Sequence, residues 1–464
     1  MRQIVQLDDA VAVVADHLGA ARKGLALLRL EWNNGANAAV NSADIVRSMV
    51  AASAMPGATA SSVGDTTREL AAAAKRYEAV YEVPFLAHAT MEPMNCTVHL
   101  QDGHCEIWTG TQVATRARAA AAHTAGVAIE RVTLHNHLLG GGFGRRLEVD
   151  GIVRAVQVAR QVSGPVSVVW SREEDIQHDM YRPYFYHRIG AGVDAQGSPS
   201  AWHHRVTGSS ILARWAPPAF KDGVDGDAID GAANLPYAMP NKLVEYVRHE
   251  PPGIPTAFWR GVGPTHNVFV VESFIDELSA AAGRDPVAYR TALLEKSPRA
   301  AAVLALAARA SDWGSAMPKG SGRGVSLQSV FGTHMAQVAE VSVGTGGEVR
   351  VTRVVCAIDC GIVVNPDTVR AQAVSGIIFG LSGALYGEIT LKEGRVEQSN
   401  FHDYRVIRMN EIPRIEVHIV KSAEPPGGMG EPGTSALAPA LTNAIFAATG
   451  KRLRRLPVGN QLSV

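Results

Sequence analysis

The sequence has 464 residues, 44 basic and 44 acidic side chains, 46% hydrophobic residues, 45 glycines and 4 cysteines. Zero net charge excludes an electrostatic footprint for a nucleic-acid backbone or an anionic membrane. At roughly 150 residues per domain the length gives two or three domains with ample core, and no uninterrupted apolar run approaches the roughly 18 residues of a membrane span.

Met1–Leu7 leads into AVAVVA (10–15), a helix-compatible stretch from Asp16 to about Leu27, and the strand-like LLRLEW (27–32). This predicts an opening β-α-β pattern, and no secretion signal is visible ahead of it. The small, polar stretch 52–68 reads as a loop or linker, Glu69–Arg76 as helix and 77–85 as an alternating strand, so a first small domain closes near residue 80. Strand-like CTVHL, CEIWTG and RVTLHNHLL follow, then helices over 115–126 and 152–164 and a strand in 165–172. A long helix is predicted over 268–283, where apolar residues recur at three and four and Gly283 supplies a stop. SAMPKGSGRG (315–324) reads as a second linker, and GTGGEVRV (344–351) as a hairpin. Interleaved strands and helices with hairpin signals predict an α+β chain with mixed sheets.

The cysteines form no disulfide framework and no iron–sulfur motif: Cys96 and Cys105 are far apart, and Cys356 and Cys360 lie in the apolar VVCAIDC run. Buried thiols are expected, and any electron transfer has to pass through another chain.

Two glycine clusters carry the most chemistry. LLGGGFGRRLEVDGIV (138–153) runs from strand through a Gly-rich turn to helix, with Leu147 or Arg145 where a dinucleotide fingerprint needs its last glycine. Such a turn serves either close packing or an anion held on backbone amides. In the second cluster (423–452), Glu431 sits between Gly430 and Pro432, ahead of a helix expected to start near Pro439 and end at Gly450. Taken alone, Glu431 is either a general base or a cap-like acid.

These clusters, with VPFLAHATMEPMNCTVH (83–99), GTQVATRARAAA (110–121), REEDIQHDMYRP (172–183), AFWRGVG (257–263), CAIDCGIVVNPDTVRAQ (356–372) and FHDY (401–404), resemble the molybdenum-binding subunit of the xanthine oxidase family. The nearest branch is that of the isoquinoline 1-oxidoreductase β-subunit and membrane-bound aldehyde dehydrogenase. The resemblance implies a partial α/β hammerhead-like domain at 1–80 and two molybdopterin-binding domains at 81–320 and 321–464. It implies Glu431 as catalytic base, with Gln112, Gly142, Phe143, Gly144, Arg260, Gln372 and Gly430 at the cofactor. The metal is expected to be held through the pterin and by no protein ligand.

The implied reaction is hydroxylation of an electron-poor N-heteroaromatic carbon, or oxidation of an aldehyde, with water as the oxygen source. The implied cofactor is molybdenum–molybdopterin in its cytosine dinucleotide form. The implied partners are a small 2Fe–2S subunit, a downstream cytochrome or flavoprotein, and a chain supplying the Met-Gly-Gln-Gly segment that this sequence lacks. No nucleic acid and no membrane span are expected. The alternative is a non-catalytic scaffold chain. Compartment stays open between cytoplasm, the default, and periplasm through an exported partner.

Purine-oxidising members carry an acid after the GGGFG turn and an arginine further on; here Leu147 and the arginine-free stretch 227–241 stand there. That favours a less polar heterocycle or an aldehyde. His135 and His137 would share a strand face but lack a third metal ligand. Trp170, Trp202, Trp215 and Trp259 read as core or channel walls.

Overall fold

The computed structural model describes residues 1–463. Among them, three sheets of four or five strands carry the fold. The first runs in the order Val132–Asn136, His104–Thr109, Asn95–Gln101, Val166–Val169. The Ala114–Ala125 and Asp150–Ala159 helices cover it through Ala117, Ala121, Ile152 and Val156, the apolar face that their three-and-four spacing predicts.

The second sheet is ordered Ala58–Val63, Lys242–Arg248, Pro199–Gly208, Phe185–Val193, Lys75–Val83. The third is ordered Ser321–Val330, Thr333–Val343, Val349–Asp359, Arg414–Ile419. Both mix parallel and antiparallel pairs. The Pro264–Ala281 and Leu437–Thr449 helices join one core that includes Tyr81 and Trp202 of the second sheet and Val338 and Val355 of the third. The Pro264–Ala281 helix is buried almost all round, so its acids are paired: Arg290 Nε donates to Glu272 at 2.8 Å, and Arg452 meets Asp276 at 2.6 Å.

Several expectations are corrected. The chain opens on an antiparallel hairpin, Gln3–Gln6 with Val11–Val14, followed by the Leu18–Ala26 helix, and residues 27–32 form no strand. Leu27 and Trp32 are exposed because no sheet edge lies beside them to pair with the segment. The supposed linker at 52–68 contains the Ala58–Val63 strand, paired antiparallel to Lys242–Arg248. The helix ahead of residue 77 spans Thr66–Ala72, and the next strand begins at Lys75. That strand, Lys75–Val83, runs through residue 80 within the second sheet.

The second supposed linker ends inside a strand. Ser321–Val330 includes Gly322 and Gly324, and a Cβ on Gly324 would stand 2.1 Å from the amide nitrogen of Ala444. These glycines let the Leu437–Thr449 helix lie directly on the sheet. The Pro366–Leu385 helix is the one described helix long and apolar enough to cross a membrane. It packs in the core through Ala373, Ile377 and Leu381, and its Gly376 and Gly380 lie against Gly433 and Thr434.

Candidate functional site

The eight expected site residues come from five stretches of chain. Gln112 follows the His104–Thr109 strand, and its amide N–H donates to the Arg146 carbonyl at 2.9 Å. Its side chain is exposed and covers Gly142, where a Cβ would stand 2.6 Å from Gln112 Oε1. Phe143 has φ +55, uncommon for a residue with a side chain. Its ring stacks on Phe379 at 4.4 Å, and Phe379 stacks on Trp259 at 4.5 Å. Gly144 has φ +109, and a Cβ there would lie 1.8 Å from the Phe258 carbonyl oxygen. Only glycine fits a turn pressed so closely against a neighbouring backbone.

Arg260 ties these pieces together. Its backbone N–H donates to the Phe143 carbonyl at 2.8 Å. Its guanidinium donates from Nε to the Gly430 carbonyl at 2.7 Å, from Nη1 to Ser375 Oγ at 2.9 Å and from Nη2 to Gln372 Oε1 at 3.1 Å. The planar fork therefore joins the Pro366–Leu385 helix to the loop that carries Glu431, and the backbone N–H of the same residue holds the glycine turn.

Glu431 precedes the short Pro432–Ser435 helix, with Pro432 in its first turn, and the chain continues into Leu437–Thr449. The expected start near Pro439 is thus too late, because the chain turns helical directly after Glu431 and only bends at Ala436. The Glu431 side chain makes no capping bond to the helix amides. Burial raises its proton affinity, Arg260 and the Gly261 amide pull it back, and the nearby charge of Asp227 adds to the rise. The balance is a carboxyl above its ordinary range.

A network beneath the glycine turn has no motif of its own in the sequence. His88 Nε2 lies 2.8 Å from the Phe258 carbonyl and its Nδ1 faces Asp179. Arg145, buried, meets Asp179 at 2.8 Å and Asp150 at 2.7 Å. Arg146, also buried, donates to Glu92 Oε2 at 2.8 Å and to the Gly141 carbonyl at 3.2 Å. These groups fix the turn from behind and leave its front open. Among the described residues, none of the amides of residues 141–144 donates to a protein acceptor. Successive free amides beside an exposed carboxamide fit an anionic, oxygen-bearing group such as a pterin phosphate, and a side chain at 142 would press on that carboxamide.

The remaining candidates fall outside this cluster. All four cysteines are buried and unpaired, and burial pushes Cys96 and Cys356 up to about 12. His135 donates to or accepts from Glu106 at 2.8 Å and stacks on Trp108, and no group of three or more potential metal ligands occurs among the described residues. Trp202 and Trp259 are core residues, while Trp170 and Trp215 are half-buried. Leu147 packs with Ile211, Leu212 and Phe258.

A family model described as "Molybdopterin cofactor-binding domain" matches residues 52–293, and a second of the same description matches 277–413. The chain is 35% identical over 389 residues to the isoquinoline 1-oxidoreductase β-subunit of Brevundimonas diminuta, covering 82% of this chain and 48% of that protein. It is 28% identical to the membrane-bound aldehyde dehydrogenase [pyrroloquinoline-quinone] of Gluconacetobacter polyoxogenes, covering 97% of this chain and 62% of the relative. It is 29% identical to a nicotinate dehydrogenase subunit from Pseudomonas putida, covering 98% and 40%. The chain thus spans 40% to 62% of the length of these relatives. Among solved structures, quinoline 2-oxidoreductase from Pseudomonas putida 86 superposes with a TM-score of 0.75 at 14% identity, covering 96% of this chain and 84% of that one. The aldehyde oxidoreductase of Desulfovibrio gigas superposes at 0.72 and 15% identity, covering 86% and 62%, so both share the fold. The chain belongs to the molybdopterin cofactor-binding family, among the molybdenum-binding subunits of the xanthine oxidase family.

Proposed function

We propose that this chain is the cofactor-binding part of a multi-chain molybdenum hydroxylase that hydroxylates an N-heteroaromatic ring or oxidises an aldehyde, with Glu431 as general base. The observation that carries this reading is the placement of Glu431: a carboxyl of raised proton affinity, without a helix-capping bond, held beside Arg260 next to an open cradle of backbone amides. The relatives' names supply the substrate classes, an isoquinoline, an aldehyde and a nicotinate.

When bound, the molybdenum–pterin group supplies the two-electron oxidation of substrate. Gln112, the amides of Gly142, Phe143 and Gly144, Arg260 with Gly430, and Gln372 would hold it. Glu431 takes up a proton from the attacking oxygen at its carboxylate, and its raised affinity suits base work near neutral pH. Leu147 carries no charge and packs among Ile211, Leu212 and Phe258, in keeping with a weakly polar ring or an aldehyde. We assign the cytosine dinucleotide form to the cofactor, and a small 2Fe–2S subunit and a cytochrome or flavoprotein to the electron path, because the four thiols here are buried and scattered.

Glu431→Gln tests the assignment. Turnover falls by at least about a thousandfold, as for loss of an essential acid–base group, while molybdenum content by elemental analysis stays at the wild-type level. Turnover within about tenfold of wild type would remove Glu431 as the base.

A further inference from the structure

The segment that places Arg260 and Gly261 at the site also forms, through Trp259, Val262 and Gly263, one wall of a small cavity. Its volume is about 20 Å³, room for about one water, and its polar lining comes from Arg182, Ser209, Asp225, Asp227 and His266. Two lining atoms are buried without a partner among the described residues, Arg182 Nε and His266 Nε2. Arg182 otherwise donates from Nη2 to the Pro84 carbonyl at 2.5 Å, and no carboxylate among the described residues pairs with it directly. Burial lowers its pKa to about 9, the sign of a cation without a counter-charge in contact.

His266 begins a line of three buried imidazoles. Its Nδ1 lies 3.2 Å from His187 Nε2, and His187 Nδ1 lies 2.9 Å from His204 Nε2. Burial keeps all three neutral, so each ring has one donor and one acceptor nitrogen. Only two proton arrangements satisfy both contacts. If every ring is protonated on Nδ1, His204 is left with a buried N–H that has no acceptor. If every ring is protonated on Nε2, His204 keeps only an unused lone pair, which costs less, and His266 presents an N–H to the cavity. The cavity lining then holds two donors without partners among the described residues.

The uncommitted acceptor in the lining is Asp227. Asp225 is committed to the Ser210 hydroxyl at 2.7 Å and to the amides of Leu212, Asp227 and Ala228, and Asp230 to Gly231 and Asn234. His203 faces Glu245 at 2.6 Å, away from this line. Asp227 makes no such side-chain bond among the described residues. We propose that the cavity binds one water that accepts from His266 Nε2–H and Arg182 Nε–H and donates to the Asp227 carboxylate, with all three imidazoles in the Nε2–H form. The water links a buried guanidinium to the uncommitted carboxylate of the same cavity lining.

Neutron diffraction from crystals of the unaltered full chain tests the water and the tautomers without any variant. A single water in the cavity and hydrogens on Nε2 of His187, His204 and His266 are expected. An empty cavity, or a hydrogen on Nδ1 of His266, would overturn the proposal. These readouts need no turnover, so active Glu431→Gln would remove the base assignment while leaving the water and tautomers as measured.

Discussion

At the scale of single residues, Glu431 sets the pH behaviour. Its proton affinity in the fold is raised from the ordinary value of 4.5, chiefly by burial. A base acts only when ionised, so activity is lost as pH falls through this raised value, and the acid limb of kcat/KM lies above pH 4.5. Stability moves the other way. A carboxyl whose folded pKa exceeds its unfolded one contributes its full stabilisation below the unfolded pKa and loses it as pH rises through the folded pKa. Ionised Glu431 therefore weakens the fold at neutral pH. Glu431→Gln is expected to raise Tm at pH 7 and to leave it nearly unchanged at pH 4; a lower Tm at pH 7 would show that the pairing with Arg260 outweighs burial.

At the scale of elements, close packing depends on glycines that composition alone presents as linker. Gly322 and Gly324 sit on the Ser321–Val330 strand beneath the Leu437–Thr449 helix, with the Ala440 carbonyl only 2.4 Å from where the Cβ of residue 324 would stand. Gly324→Val forces the helix off the sheet and is expected to cost about 1–3 kcal/mol, measured by urea unfolding. Stability equal to wild type would mean that the helix re-seats freely.

Strands with alternating or continuous apolar patterns, such as Lys75–Val83 and Val349–Asp359, were legible because their side chains state which face is buried. ATASSV at 58–63 was not: its small polar residues pair by backbone alone with Lys242–Arg248. LLRLEW failed in the opposite sense, having strand-like composition and no partner edge. The site followed the same division. Glu431, Gln112 and the GGGFG turn stand in motifs read along the chain. The ion pairs of Arg145 and Asp179, and the histidine line with neighbours 17 and 79 positions apart, exist only once strands and helices are assembled.

At the scale of the whole molecule, the site forms where the first sheet's loops, the entry to the Pro264–Ala281 helix, the Pro366–Leu385 helix and the Glu431 loop meet. Arg260 is the common bond among them. Arg260→Ala removes the contacts to Gly430, Ser375 and Gln372 together, each about 1 kcal/mol or more, and is expected to lower cofactor retention more than Tm. Loss of folding without loss of cofactor in the folded fraction would contradict that ordering. The chain spans 40% to 62% of the length of the relatives named above.

The most direct test of the central claim is the molybdenum and pterin content of the purified protein, produced alone and together with its neighbouring subunits. The account predicts about one molybdenum and one pterin per chain in the co-produced complex. Absence of both metal and pterin from the co-produced complex as well as from the chain alone would contradict it, and would leave the chain a scaffold without a cofactor.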